Sequence, residues 1–192
     1  MRAWVPVSAT LAPAALIGGW SVAASRQANG YSSARDTISA LAGQGATDGY
    51  IMASGLAMLG LCHVATAAGF TDIGRTSRAV LAIGGVATVV VAALPQPNTG
   101  HVPAATVGFL ALAVWPGASR LRFRGARATA VILLCLLAWL ALELRGGSLL
   151  GLSERVLAGA EAFTPLAFAA VVIGRRWRPR RRRGADAAQS RS

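Results

Sequence analysis

The chain has 192 residues, of which 54% are hydrophobic and only 14% are charged, and its mean hydropathy is +0.52. This composition excludes an ordinary soluble domain of the same size and is typical of an integral membrane protein. The net charge of +12 does not by itself indicate a nucleic-acid partner, because every basic residue is arginine and eight of them lie in the last eighteen residues.

Six apolar runs follow one another along the chain, several of them near the lower limit of about 17 residues for crossing ~30 Å of hydrocarbon as a helix. They span residues 3–24, 50–70, 79–94, 102–118, 128–144 and 156–174. No run alternates as a barrel strand would, and an open sheet would leave backbone groups unpaired in lipid. The sequence therefore predicts an all-α integral membrane bundle of six transmembrane helices.

The first run also has features of a cleaved signal peptide, since Arg2 precedes it and "SVAAS" near its end offers small residues. Its apolar part is longer than the usual 7–15 residues of such a peptide, which favours an uncleaved first helix. We expect a transmembrane domain over residues 1–175 and a basic, disordered cytoplasmic tail over residues 176–192.

The arginines predict the orientation. If the amino terminus is cytoplasmic, fifteen of the nineteen lie inside and only Arg26, Arg35, Arg145 and Arg155 lie outside. Both termini are then cytoplasmic, as in a multi-pass protein of the cell membrane. The tail "RRWRPRRRRGADAAQSRS" would anchor the last helix to anionic headgroups at ~1 kcal/mol per charge, and no folded nucleic-acid reader accompanies it.

This topology places three polar segments on the outer face: residues 31–50, "PQPNTGH" at 95–101 and "RGGSLLGLSER" at 145–155. Ionisable groups within spans usually face a bundle interior or a wet cavity, with a partner of opposite charge. We therefore predict an outward-facing polar cup in which Arg35, Arg145 and Arg155 pair with carboxylates, including Glu143 and Glu161. The candidate ligand-binding residues are Arg35, Asp36, Ser39, His101, Glu154, Arg155 and Glu161.

Helix capping is the structural alternative for several of these residues. Asp36 precedes "TISALAG", whose apolar positions share one helical face, and Ser153 with Glu154 suits the first turn of the last helix. Thr47 and Asp48 are placed to cap the second long helix in the same way.

No metal or cofactor site is predicted. His63 lies about 20 Å from the outer surface, whereas His101 lies at that surface, and His63 is interpreted as a buried histidine bonded to a neighbouring helix. Cys62 and Cys135 lie within spans without CxxC spacing, and the usual nucleotide, hydrolase and zinc motifs do not occur. Small residues in "GLAMLG" and "AIGGVA" allow close helix contact.

Three segments, "YSSARDTISALAGQGATDGYIMASGLAMLGLCH", "GHVPAATVGF" and "GLSERVLAGAE", resemble the bacterial multi-pass membrane family catalogued as domain of unknown function 998. The resemblance extends to about Arg175 and implies six membrane helices and no assigned activity. It matches Arg35, Asp36, Ser39, His63, His101, Glu154 and Arg155. The stretch "EAFTPLAF" departs from the pattern, with Thr164 where an aromatic residue is common. The loop and second helix are also similar to the Frag/DRAM/Sfk six-span group, some of which handle lipids.

Three functional classes follow. In the first, the polar cup binds or moves a small anionic molecule or a lipid headgroup, with Arg35 and Arg155 as counter-charges. In the second, a membrane-embedded enzyme acts on a lipid or cell-envelope precursor, with His101 as general base beside Glu154 or Asp36. The third is a structural or partner-binding subunit. No recognisable nucleophile lies beside a base, so binding is favoured, and the sequence leaves enzymatic activity, ligand and oligomeric state open.

Overall fold

The computed structural model describes residues 1–28, 30–121 and 124–189, without the side chains of Arg124 and of residues 177–189. This part of the chain is all-α and contains no strand, as predicted. Its helices are α1 Val5–Ser25, α2 Ile38–Leu41, α3 Tyr50–Gly69, α4 Arg75–Ala93, α5 His101–Val114, α6 Arg124–Glu143 and α7 Leu150–Gln189, with a short 3₁₀ helix at Thr71–Ile73.

Five of these helices are long and apolar enough to cross a membrane: α1, α3, α4, α6 and the part of α7 from Leu150 to Arg176. The chain is thus a multi-pass membrane protein. Helix α5 is apolar but has only 14 residues, which span about 21 Å at 1.5 Å per residue. The sixth span and the orientation stay predictions. The described backbone of α7 is helical to Gln189, and the predicted disorder of the tail stays a prediction.

The long helices close into a ring. Helix α1 packs against α3 and α7, α4 lies between α3 and α5, and α6 lies between α5 and α7. The short helix α2 contacts α1, α3 and α7 at one end of this ring. Residues on the inner faces of helices distant in sequence are thereby brought around one interior.

Glycines set the close contact between α3 and α4. A Cβ atom built on Gly60 would lie 2.5 Å from the carbonyl oxygen of Gly85, and one on Gly85 would lie 2.7 Å from the carbonyl oxygen of Gly60. Both distances are far below van der Waals contact, so only glycine fits at this crossing. The close packing predicted for "GLAMLG" and "AIGGVA" is confirmed.

The capping assignments differ from prediction. Thr37, not Asp36, caps α2, because its hydroxyl accepts a hydrogen bond from the Ala40 N–H at 2.9 Å. Helix α3 begins after Gly49 with no side-chain cap, which excludes Thr47 and Asp48 from that role. Ser153 lies within α7, where its hydroxyl donates to the Leu150 carbonyl at 2.8 Å.

Candidate functional site

Two of the predicted site residues meet at the end of the ring that holds α2. Glu154 is buried near the start of α7, and its carboxylate accepts hydrogen bonds from the Ile38 N–H and, at 3.0 Å, from the Ser39 hydroxyl. Helix α2 begins at Ile38, so both donors lie in its first turn. Glu154 therefore fastens α2 to α7.

The Arg155 side chain makes hydrogen bonds to backbone carbonyls of the same region. Its guanidinium donates to the carbonyls of Asp36 at 2.7 Å, Ser33 at 2.8 Å and Gly151 at 2.9 Å, and also to the Tyr31 hydroxyl. These contacts hold the segment that precedes α2 against α7. The guanidinium already donates to four acceptors within the protein, so the role of Arg155 is structural.

The predicted arginine–carboxylate pairs do not form among the described residues. Glu143 accepts instead from the Trp139 indole N–H at 3.2 Å and the Leu149 N–H at 2.8 Å. The Arg35 side chain is exposed, and the Asp36 carboxylate accepts from the Ser32 N–H at 2.6 Å. Backbone groups, the Trp139 indole and the Tyr31 hydroxyl bind Glu143, Asp36 and Arg155 in place of the charged partners that the sequence suggested.

His101 stands apart from these contacts. It is the first residue of α5, and its Nδ1 lies 2.8 Å from the Leu94 carbonyl oxygen. In the described part of the chain it makes no hydrogen bond to Asp36 or Glu154, the partners that the enzyme hypothesis requires.

An interior cavity lies inside the ring, between α1, α2, α3, α4, α5 and α7. The volume of the cavity is about 50 Å³, which is room for a few waters or a short carbon chain. Its walls are mostly apolar, and its polar lining consists of Ser39, His63, Thr88, Glu154 and Glu161. Glu154 and Glu161 are seven residues apart on α7, so the cavity extends roughly 10 Å along that helix.

Glu161 and His63 are the polar lining residues of α7 and α3 that lie farthest from α2, and we call this part of the cavity its deep end. Both side chains have polar atoms that make no hydrogen bond within the described part of the chain. Glu161 and His63 are each 1% exposed. Within the described part of the chain, neither carboxylate oxygen of Glu161 nor Nε2 of His63 has a hydrogen-bond partner. The His63 ring bonds to the backbone of Leu59 in its own helix, which differs from the interhelical bond we expected. The buried Nε2 of His101 and Nε1 of Trp115 also lack a partner among the described residues, but neither residue lines the cavity. Buried polar groups are nearly always paired, so the free atoms of Glu161 and His63 are available to a water or ligand in the cavity.

A protein-family model, "Protein of unknown function (DUF998)", matches residues 10–172. The chain belongs to the DUF998 family. This confirms the resemblance seen in the sequence, whereas the similarity to the Frag/DRAM/Sfk group stays a prediction. No curated protein and no solved structure matches the chain. The DUF998 match spans all the residues that line the cavity, from Leu16 to Ala162.

A cluster of charged groups lies at the other end of the ring, away from α2, and has a structural role. The Asp72 carboxylate accepts from Arg176 at 2.7 Å and from the amino group of Met1. Partial burial raises the pKa of Asp72, but these hydrogen bonds and positive charges outweigh it, and the net pKa is below its usual value. The cluster ties the α3–α4 connection to the end of the membrane part of α7.

Glu161 was among the ligand-binding residues predicted from the sequence, but His63 was not. Both lie well inside their helices, and nothing in their spacing relates them. Only the packing of α3 and α7 around one interior brings them to the same cavity.

Proposed function

We propose that this protein crosses the membrane six times, with both termini in the cytoplasm, and binds a small molecule in its interior cavity. The ligand enters from the outer face and has an apolar body with one polar head. The observation that carries this proposal is that the two carboxylate oxygens of Glu161 and the Nε2 atom of His63 line an apolar cavity without a hydrogen-bond partner in the described part of the chain.

The ring supports α5 as the sixth span. Helix α5 packs between α4 and α6 and so follows their course across the bundle. If α5 did not cross, α6 would start on the outer side, and Arg120, Arg124 and Arg127 with it, against the positive-inside rule. With six spans the α2 end of the cavity faces outward.

Labelling of single cysteines tests this topology. Thr47 and Thr76 are both exposed and lie at opposite ends of the ring. Ser148, between α6 and α7, is also exposed and follows α5 in the chain. In a background without Cys62 and Cys135, we expect an impermeant maleimide to label Thr47→Cys and Ser148→Cys in intact cells and Thr76→Cys only after permeabilisation. The reverse pattern at all three positions would overturn the orientation, and labelling of Ser148→Cys only after permeabilisation would overturn α5 as the sixth span.

The contacts of the predicted site residues argue against the anionic ligand and against the enzyme that the sequence suggested. Arg35 and Arg155 do not line the cavity, so the anionic ligand predicted from them lacks a counter-charge there. The predicted enzyme relied on His101 beside Glu154 or Asp36, and His101 contacts Leu94 instead.

A matched pair of alanine-to-leucine substitutions tests cavity binding. Ala158 lines the cavity, whereas Ala167 is on the exposed side of the same helix. Leucine at position 158 fills the cavity, but leucine at position 167 only adds to the outer surface. We expect mass spectrometry to detect a small molecule released from wild type and Ala167→Leu and at least tenfold less from Ala158→Leu. Equal amounts from both variants, or none from wild type, would contradict the proposal.

A further inference from the structure

We propose that the head group bound in this cavity is a cationic, amine-type group, and that it displaces a proton held by Glu161. This inference rests on the proposed function and names the class of ligand and the chemistry of its binding.

The charge of the cavity lining points to a cation. Its titratable residues are Glu154 and Glu161 from α7 and His63 from α3. The lining residues from α1, α2, α4 and α5 are all neutral, and Ser39 and Thr88 are the polar ones among them. No arginine of the described residues lines the cavity, so a bound anion would meet carboxylates without a counter-charge.

The two carboxylates differ in what they can still accept. Both oxygens of Glu154 already bind α2, through Ile38 and Ser39. Neither oxygen of Glu161 has a partner in the described part of the chain. A donor that reaches the deep end therefore meets Glu161 as an unoccupied acceptor.

His63 complements this acceptor. One imidazole nitrogen is engaged by the Leu59 backbone, which leaves Nε2 as the nitrogen available to the cavity. In the neutral ring, a donor to the Leu59 carbonyl leaves a lone pair on Nε2. An ammonium group has three N–H donors, enough for the two oxygens of Glu161 and for Nε2 of His63.

The protonation of Glu161 follows from its surroundings. An ionised carboxylate is strongly disfavoured in an apolar interior without a partner, so Glu161 is neutral while no cation is bound. When R–NH₃⁺ enters, the O–H bond of Glu161 breaks and the carboxylate pairs with the ammonium: Glu161–COOH + R–NH₃⁺ → Glu161–COO⁻·⁺H₃N–R + H⁺. The proton passes to solvent, and the net charge in the cavity does not change. Binding therefore releases one proton and strengthens as pH rises.

Calorimetry on the purified full chain tests this exchange with n-butylammonium and its neutral isostere 1-butanol. Titrations in two buffers of different protonation enthalpy at one pH give the number of protons released. We expect about one proton per butylammonium, none per butanol, and an affinity for butylammonium that rises up to tenfold per pH unit. This measurement needs only the wild-type protein.

Two matched Glu→Gln variants locate the proton. Glu161→Gln should bind butanol like wild type, bind butylammonium at least tenfold more weakly and release no proton. Glu143→Gln should behave like wild type, because Glu143 bonds to Trp139 and Leu149 outside the cavity.

The outcomes separate the two proposals. Equal affinity for both probes without proton release would overturn the exchange and leave cavity binding intact. Proton release that persists in Glu161→Gln would also overturn it. If neither probe binds wild type, or if both bind Ala158→Leu as tightly, cavity binding fails and the exchange fails with it.

Discussion

The contact between Glu154 and α2 allows a quantitative prediction about stability. Leucine at position 154 keeps most of the side-chain volume but removes the acceptor of the Ile38 N–H and the Ser39 hydroxyl. Ile38 and Ser39 are buried, Ile38 at 2% exposure, so the loss of the carboxylate leaves both donors without their protein acceptor and away from bulk solvent. We expect Glu154→Leu to weaken the attachment of α2 to α7 and to destabilise the folded protein.

The magnitude follows from the two donors. A buried donor left without a partner costs about 1–3 kcal/mol, so two donors would cost about 2–6 kcal/mol. The Ser39 hydroxyl can rotate toward another acceptor, whereas the Ile38 N–H cannot, so the lower part of that range, about 2–4 kcal/mol, applies to Glu154→Leu. Glutamine keeps one acceptor oxygen and should cost about 1–2 kcal/mol.

A double-mutant cycle isolates the bond between the two side chains. Unfolding free energies of Ser39→Ala, Glu154→Leu and the double variant should give a coupling of about 1–2 kcal/mol. Thr164 supplies the control, because its hydroxyl bonds to the Ala160 carbonyl in its own helix. The same cycle with Thr164→Ala should be additive within about 0.5 kcal/mol. The reasoning is refuted if Glu154→Leu is as stable as wild type or if the Ser39 cycle is additive.

Three further predictions follow from packing, ionisation and burial. Gly60→Val should lower the melting temperature strongly, because a Cβ there meets the Gly85 carbonyl, whereas Gly18→Val should not, because nothing lies within 4 Å of a Cβ at that position. The folded pKa of Asp72 is below its ordinary 3.8, so its stabilisation is complete above that value and is lost as pH falls through the folded pKa. The melting-temperature difference between wild type and Asp72→Asn should therefore stay constant near neutral pH and shrink in acid, and a constant difference would contradict it. Glu161→Gln should be at least as stable as wild type, since no partner among the described residues is lost, and a clear drop in melting temperature would reveal a structural role.

The helical architecture was predictable because lipid requires every backbone group to be satisfied within its own segment. The ends of the helices were harder to predict. Residues 156–174 were predicted for the last span, but α7 begins at Leu150. The difference arises because Ser153, Glu154 and Arg155 interrupt the apolar pattern while their side chains bind the α2 region and their own helix. Tertiary contacts thus allow polar residues to continue the helix.

The candidate site was predictable only in part. Ser39 and Glu154 were placed in the same outer region, and they do bond directly. The partners of Arg155 could not be deduced, because backbone carbonyls are present everywhere and carry no sequence signal. The cavity position of His63 was missed because it depends on how the ring closes, which no local pattern encodes.

Glu154 and Glu161 lie on the same face of α7, two turns apart, and line the same cavity, yet they relate to the fold in opposite ways. The acceptors of Glu154 are occupied by α2, so its presence is explained by stability. Glu161 has no such contact in the described part of the chain, and a buried ionisable group without a partner makes folding less favourable. Natural proteins depart from local structural rules chiefly at functional sites. Glu161 is therefore the carboxylate to examine for function. Glu154 is the comparison, because it lies in the same cavity with all its contacts made by the fold.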